Sequence, residues 1–235
     1  MMRDPHIVSS FDKDLESVQA MVMRMGGLVE KALLEAVEAL EMRDEALAER
    51  VRAGDAAIDA LEEQIQTECA RILALRSPTA TDLRTVLTVM RLAAALERSG
   101  DYAKNLAKRS LVLMHMAPVN GAPGAIRRMA RAVVALLSDA LDAYIARDPA
   151  KAAEVRLRDA EVDQMYAALF RQFLTYMLED PRTITPCMHL HFIAKNIERV
   201  GDHATAIAEQ VIYLVEGAVP ETARPKVDSV PMAEG

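Results

Sequence analysis

The residues of this chain that could do chemistry are mostly carboxylates, and they recur in pairs four positions apart. Two residues at that spacing lie on one face of a helix, one turn apart. Like charges there repel one another, and a bound cation would remove the repulsion, since carboxylate oxygens are ligands for Mg²⁺, Mn²⁺, Ca²⁺ and Fe ions. The four pairs are Asp55 and Asp59, Glu97 and Asp101, Asp159 and Asp163, and Glu198 and Asp202.

These pairs belong to an internal duplication. The segment ERSGD at residues 97–101 recurs as ERVGD at residues 198–202, and the two aspartate pairs are 104 positions apart. Gly100 and Gly201 occupy the same place in both copies, although glycine inside a helix costs about 1 kcal/mol relative to alanine. A retained glycine therefore indicates that a neighbouring helix, or a metal site, comes close at this point.

The simplest interpretation of one such pair is a solvated acidic patch on an amphipathic helix, and this alternative stays open for each pair. The recurrence at matched positions favours a metal site over that alternative. Arg98 and Arg199, which lie inside the repeated segments, offer a third interpretation, because they could neutralise the acids through ion pairs.

Helix signals in the first half of the chain predict three long elements. A cap at Asp44 begins the second helix, which stops at Pro78, and Thr79 or Thr81 caps a third helix over about 82–115. The first helix is predicted from apolar residues spaced three and four apart, which form a heptad seam. That seam consists of Leu15, Val18, Val22, Met25, Val29, Ala32, Ala36 and Ala39.

The second half repeats this plan. Residues 116–124 hold two prolines and two glycines, which predicts a linker. A fourth helix is predicted over about 125–146. Asp148 and the proline after it begin a fifth helix. A sixth helix starts within 183–186, carries another heptad seam, and ends at Gly217 as its C-terminal cap.

The predicted fold class is therefore all-α, with two tandem pseudo-symmetric three-helix bundles made of six long helices. We place the first bundle at residues 10–116 and the second at 125–217. The segment 218–235 holds three prolines and no apolar periodicity, and it is predicted to be a mobile tail.

Composition excludes several classes of protein. Among 235 residues the formal net charge is −7, which argues against a nucleic-acid binder held by phosphate contacts. No apolar run is long enough for a membrane span, and the start of the chain lacks the apolar region of a secretory leader. Cys69 and Cys187 are predicted to be reduced thiols of a cytoplasmic protein. No Walker loop, nucleophile elbow or Glu-x-x-His motif is present, so no catalytic residue is predicted and an enzyme is disfavoured.

The duplicated segments ERSGDYAKNLAKR and ERVGDHATAIAEQ resemble the PhoU family, the phosphate-signalling proteins of bacteria. Three other segments, VMRMGGLVEKAL, RSPTATDLR and VDQMYAALFRQFLTYMLEDPRTI, add to the resemblance, which covers about residues 10 to 217. Ser99 departs from the apolar residue usual in the family's ERIGD, which matters little for metal ligation.

The resemblance implies a non-enzymatic regulator of phosphate homeostasis, which restrains phosphate uptake and the starvation two-component response when phosphate is plentiful. It implies two partners, the phosphate importer's ATPase subunit and a membrane-bound phosphate-sensing histidine kinase. We expect a cytoplasmic homodimer that reaches the inner membrane through these partners and neither inserts into it nor binds nucleic acid.

The resemblance also implies divalent or trivalent metal ions, Fe, Zn, Mg or Mn, at Glu97 and Asp101 and at Glu198 and Asp202. The other two pairs, Asp55/Asp59 and Asp159/Asp163, match the facing motif of the family less distinctively. Two alternatives remain open. One is a carboxylate-bridged metal-binding helical protein with a redox or metal-storage role, and the other is a helical scaffold of an unrelated pathway with solvated acids.

Overall fold

Six long helices make up the described part of the chain and confirm the predicted all-α fold class. The computed structural model describes residues 5–76, 78 and 80–218, with side chains for 13–75, 78 and 81–218. The helices are α1 (Pro5–Met42), α2 (Glu45–Arg76), α3 (Ala80–Leu113), α4 (Ala122–Ala146), α5 (Pro149–Glu179) and α6 (Ile184–Glu216), with one 3₁₀ turn at Pro181–Thr183. Most of the predicted tail, residues 219–235, lies outside the described residues.

In both repeats the turn between the first and the second helix has the same structure. Arg43 and Arg147 end α1 and α4 in the left-handed backbone region, with φ of 54° and 50°. The next residue caps the following helix: the Asp44 carboxylate accepts from the backbone N–H of Leu47 at 2.9 Å, and Asp148 accepts in the same way from the start of α5. Both predicted caps are therefore confirmed, as is Gly217, whose φ is 79°.

Three predicted helix borders were wrong by a few residues. α4 begins at Ala122, earlier than predicted. Pro123 is tolerated in its first turn because the backbone N–H groups of a first turn have no acceptor within the helix. α3 ends at Leu113, before the predicted His115. Thr81 lies inside the first turn of α3 and so does not cap it, while the alternative cap, Thr79, is outside the described residues.

The two repeats share one continuous hydrophobic core. α1 and α3 of the first repeat pack against α4 and α6 of the second, and the contact between α3 and α6 is as extensive as contacts within a repeat. Val22, Met25 and Val29 of the predicted α1 seam are fully buried in this core. α3 and α6 are therefore central helices, whereas α2 contacts α1 and α3, and α5 contacts α4 and α6.

Candidate functional site

Each repeat places one predicted acidic pair on an outer helix and the other on the central helix beside it. We call Asp55, Asp59, Glu97 and Asp101, on α2 and α3, the first carboxylate group. The second carboxylate group consists of Asp159, Asp163, Glu198 and Asp202, on α5 and α6. The pairing of α2 with α3 and of α5 with α6 brings the halves of each group to neighbouring surfaces.

A lysine joins the two helices at the first carboxylate group. The Lys104 ammonium, on α3, donates to Asp101 Oδ1 at 2.7 Å and also to Asp55 Oδ2 across on α2. Asp55 is buried, with 5% of its surface exposed, whereas the side chain of Asp101 is 45% exposed. The hydrogen bonds of Lys104 raise the pKa of its ammonium, so it stays charged and neutralises a carboxylate that burial would otherwise penalise.

The rest of the first carboxylate group carries excess negative charge. Partial burial, and then repulsion from Asp55, raise the pKa of Asp59 above its ordinary value. The pKa of Glu97 is raised by burial and then by repulsion from Asp101 and from Asp59. A cation near Asp59 and Glu97 would relieve this repulsion.

The second carboxylate group is built around a different lysine. Glu198 Oε1 accepts a hydrogen bond from the Lys195 ammonium at 2.7 Å, one turn earlier on α6, while Glu198 Oε2 is buried without a hydrogen-bond partner. Lys195 also lies over the ring of Tyr166, 5.1 Å from its centre. Asp159 on α5 is 2% exposed and faces Gly201 of α6. Asp163, also on α5, and Asp202, on α6, are partly exposed.

At the two repeated glycines the neighbouring helix comes close, as predicted. A Cβ atom at Gly100 would lie 2.9 Å from Ile58 Cδ1 and 3.6 Å from Asp55 Oδ1. A Cβ atom at Gly201 would lie 3.3 Å from Asp159 Oδ1. In both repeats, therefore, the glycine lets the central helix contact the buried aspartate of the outer helix.

Carboxylates are suitable ligands for a hard cation, but in this structure they are arranged around the ammonium groups of lysines. Over the described ranges, no three His, Cys, Asp or Glu side chains come close enough together to hold a metal ion. Lys104 and Lys195 make hydrogen-bonded ion pairs at the two groups, and Arg98 and Arg199, the counterions offered by the third interpretation, are exposed. Neither lysine was predicted as a counterion, although each lies three residues from a motif carboxylate, a spacing at which two side chains on a helix can pair.

Replacing Lys195 with Met is expected to lower the free energy of unfolding by about 1–2 kcal/mol, because a mostly buried carboxylate loses its donor. The side chain of Glu198 is 13% exposed and that of Lys195 is 36% exposed, so water compensates for part of the loss. Denaturant unfolding followed by circular dichroism measures the change.

The matched control is Lys31→Met. The ammonium of Lys31 lies 3.8 Å from Glu35 in an exposed pair, which is expected to contribute less than about 1 kcal/mol. Equal losses in the two variants would contradict the assignment of Lys195 as the counterion of a buried carboxylate.

The residue that follows each motif joins the repeats to one another. Tyr102 follows ERSGD and His203 follows ERVGD, and their rings stack with centres 5.8 Å apart and an interplanar angle of 20°. Burial, and then the positive charge of Arg98, lower the pKa of His203 below its ordinary value. Folding therefore favours the neutral imidazole at the junction of α3 and α6.

Replacing His203 with Phe is expected to reduce the loss of stability on acidification. Above pH 6.5 the imidazole is neutral in both states, whereas at lower pH the unfolded chain takes up the proton first, so folding becomes less favourable. Urea unfolding at pH 7.5 and pH 5.5 should show that the free energy of unfolding of the variant rises relative to that of the wild type as pH falls. A stability difference that does not change with pH would contradict this expectation; the exposed His115, which follows α3, provides the control His115→Phe.

Comparisons with known proteins identify the family. The family model "PhoU domain" matches residues 22–110 and again residues 126–211. A "Phosphate-specific transport system accessory protein PhoU homolog" of Rhizobium meliloti is 44% identical over 97% of this chain and 96% of its own length. A protein of the same name from Caulobacter vibrioides is 44% identical over 95% of this chain and 97% of its own length.

Solved structures agree in fold over most of the chain. The crystal structure of PhoU from Pseudomonas aeruginosa has a TM-score of 0.85 and 39% identity, covering 88% of this chain and 100% of that one. The phosphate transport system regulatory protein PhoU from Streptococcus pneumoniae has a TM-score of 0.82 and 29% identity, over 90% of this chain and 100% of that one. In the part of the chain that is described, no helix is long and apolar enough to span a membrane. With both repeats matched and relatives aligned almost end to end, the chain belongs to the PhoU family.

Proposed function

We propose that the chain is a non-enzymatic regulator that restrains phosphate uptake and the phosphate-starvation two-component response when phosphate is plentiful. The observation that carries the proposal is the 44% identity to an accessory protein of a phosphate-specific transport system over 97% of this chain. The name of the Streptococcus pneumoniae structure, a regulatory protein of phosphate transport, supports a regulatory role over a transport role.

The regulator acts through protein contacts in the cytoplasm. Its partners are the importer's ATPase subunit and the phosphate-sensing histidine kinase, which bring it to the inner membrane. It functions as a homodimer, which light scattering would detect as twice the 25.8 kDa mass of one chain. The long helices and the net charge of −7 suit a scaffold that binds other proteins rather than nucleic acid.

Co-purification tests the partners. Tagged protein, isolated from cells grown at high and at low phosphate, should retain the ATPase subunit and the kinase, as detected by mass spectrometry. The control is the same tag on an unrelated helical protein of similar charge. Recovery of neither partner above this control in both conditions would contradict the proposal.

Metal binding by the carboxylates is the second part of the proposal. The first and second carboxylate groups bind divalent or trivalent cations, Fe, Zn, Mg or Mn, in a structural or modulatory role. Support comes from the all-carboxylate donor set and from the raised pKa of Asp59 and Glu97, which is caused by burial and then by repulsion from neighbouring carboxylates that a cation would neutralise. When bound, the metal would supply positive charge that holds an outer helix to a central helix.

Metal analysis of the purified protein tests this part separately. Mn²⁺ titration of chelator-treated protein should show binding that Glu198→Ala weakens at the second group and Glu97→Ala weakens at the first. Arg24→Ala, an exposed change on α1, is the control. Absence of bound metal in all variants would remove the metal role and leave the regulatory proposal to the co-purification experiment.

A further inference from the structure

The two carboxylate groups differ at one position that decides how a cation could enter. Lys104 lies seven residues after the motif glutamate Glu97, and the corresponding residue after Glu198 is Thr205. Thr205 carries no charge, and its hydroxyl donates to the Gly201 carbonyl at 3.2 Å within its own helix. The ammonium that joins outer and central helices in the first repeat therefore has no counterpart at this position in the second.

Lys104 takes up the ligand atoms that a metal would need. It contacts the buried Asp55 of α2 and Asp101 of α3 together, and so neutralises one carboxylate from each helix. The lysine of the second repeat is placed differently, since the ion pair of Lys195 is with Glu198 of its own helix. Lys104 is thus a cation within the first carboxylate group that bridges its two helices.

The close approach of α2 and α3 reinforces this competition. The Cβ position of Gly100 lies 3.6 Å from Asp55 Oδ1 and 2.9 Å from Ile58 Cδ1, so little space separates the helices beside the ammonium. A cation and the ammonium would also repel one another at such short range. Binding of a metal to Asp55 and Asp101 therefore requires Lys104 to leave.

We propose that Lys104 is a built-in counterion that competes with metal at the first carboxylate group. It holds α2 to α3 without metal and leaves Asp59 and Glu97 as the acids still exposed to a cation. This inference rests on the proposed metal binding and deepens it: the first carboxylate group becomes a tight site only when Lys104 is removed.

Mn²⁺ titration of the chelator-treated full chain tests the competition. Lys104→Thr, which copies the residue of the second repeat, should tighten binding at the first carboxylate group at least tenfold. Lys104→Arg keeps the positive charge and should show no gain. Lys108→Thr, an exposed lysine one turn further along α3, should also leave binding unchanged.

A second substitution locates the gained site. Adding Asp101→Asn to Lys104→Thr should abolish the gain, because it removes a carboxylate that Lys104 occupies in the wild type, whereas adding Glu198→Gln should leave it in place. Thermal unfolding tests the same binding even if the substitution itself lowers stability, because each protein is compared with and without Mn²⁺. Mn²⁺ should raise the melting temperature of Lys104→Thr more than that of the wild type. Chelator should reverse this rise.

The outcomes separate this inference from the proposed metal binding. If Glu198-dependent binding persists while Lys104→Thr gains nothing, the counterion role is overturned and metal binding stands. If Lys104→Thr gains a site that Asp101→Asn does not remove, the role is likewise overturned. If no variant binds Mn²⁺, both proposals fail. A gain confined to Lys104→Thr and lost with Asp101→Asn supports the role, even where the wild type binds no metal.

Discussion

Replacing Phe173 with Ala is expected to lower the free energy of unfolding by about 3–5 kcal/mol, the range typical of a fully buried aromatic side chain. Phe173 lies on α5 and has none of its surface exposed. α5 is an outer helix that packs on α4 and α6, so loss of this ring weakens the attachment of the helix that carries Asp159 and Asp163. For a chain of this length the change corresponds to a fall in melting temperature of roughly 6–20 °C.

The neighbouring residue provides the matched control for Phe173. Leu174 is also large and apolar, but it is 41% exposed, so Leu174→Ala should change stability by less than about 1 kcal/mol. Guanidinium unfolding of both variants, followed by circular dichroism, measures the difference. Similar losses at the two positions would contradict the packing of α5 described above.

Replacing Gly26 with Leu is expected to lower the free energy of unfolding by about 3 kcal/mol, because it overpacks the junction between the repeats. Gly26 is buried on α1, and even a Cβ atom at this position would collide with Leu141 Cδ1 on α4. Leu141 is itself 2% exposed and so has little room to move. The substitution therefore acts on the contact that joins the first repeat to the second.

The adjacent glycine gives the opposite expected result. Gly27 is exposed and has no neighbouring atom near its Cβ position, so Gly27→Ala should stabilise the chain by up to about 1 kcal/mol through helix propensity. Adding Leu141→Ala to Gly26→Leu should recover part of the loss, which a double-mutant cycle measures. Gly26→Leu protein as stable as the wild type would contradict the close approach of α1 and α4.

Local signals predicted most of the fold. Asp44 and Asp148 cap helices with their own carboxylates, and Gly217 ends α6, because each depends only on a few neighbouring residues. The α1 seam was predictable for a related reason, since a three-and-four spacing of apolar residues fixes which face of a helix is buried. Because of the duplication, the same local patterns occur in both halves of the chain, so six helices in two repeats could be predicted.

Features that depend on long-range contacts could not be predicted. Lys104 reaches Asp55, a residue 49 positions earlier, and nothing in the local sequence indicates that contact. Arg98 and Arg199 are closer to the acids in sequence and are exposed, while Lys104 and Lys195 make hydrogen-bonded ion pairs with Asp101 and Glu198. The packing of α3 on α6, with Tyr102 stacked on His203, likewise follows from how the repeats dock.

The proposed role of this chain is to restrain phosphate uptake and the starvation response when phosphate is plentiful. The most direct measurement is a reporter of that response, together with uptake of labelled phosphate, in phosphate-replete cells that lack the chain. We expect both to rise many-fold and to return to wild-type levels when the chain is supplied again. Unchanged reporter activity and unchanged uptake in cells that lack the chain would contradict the claim.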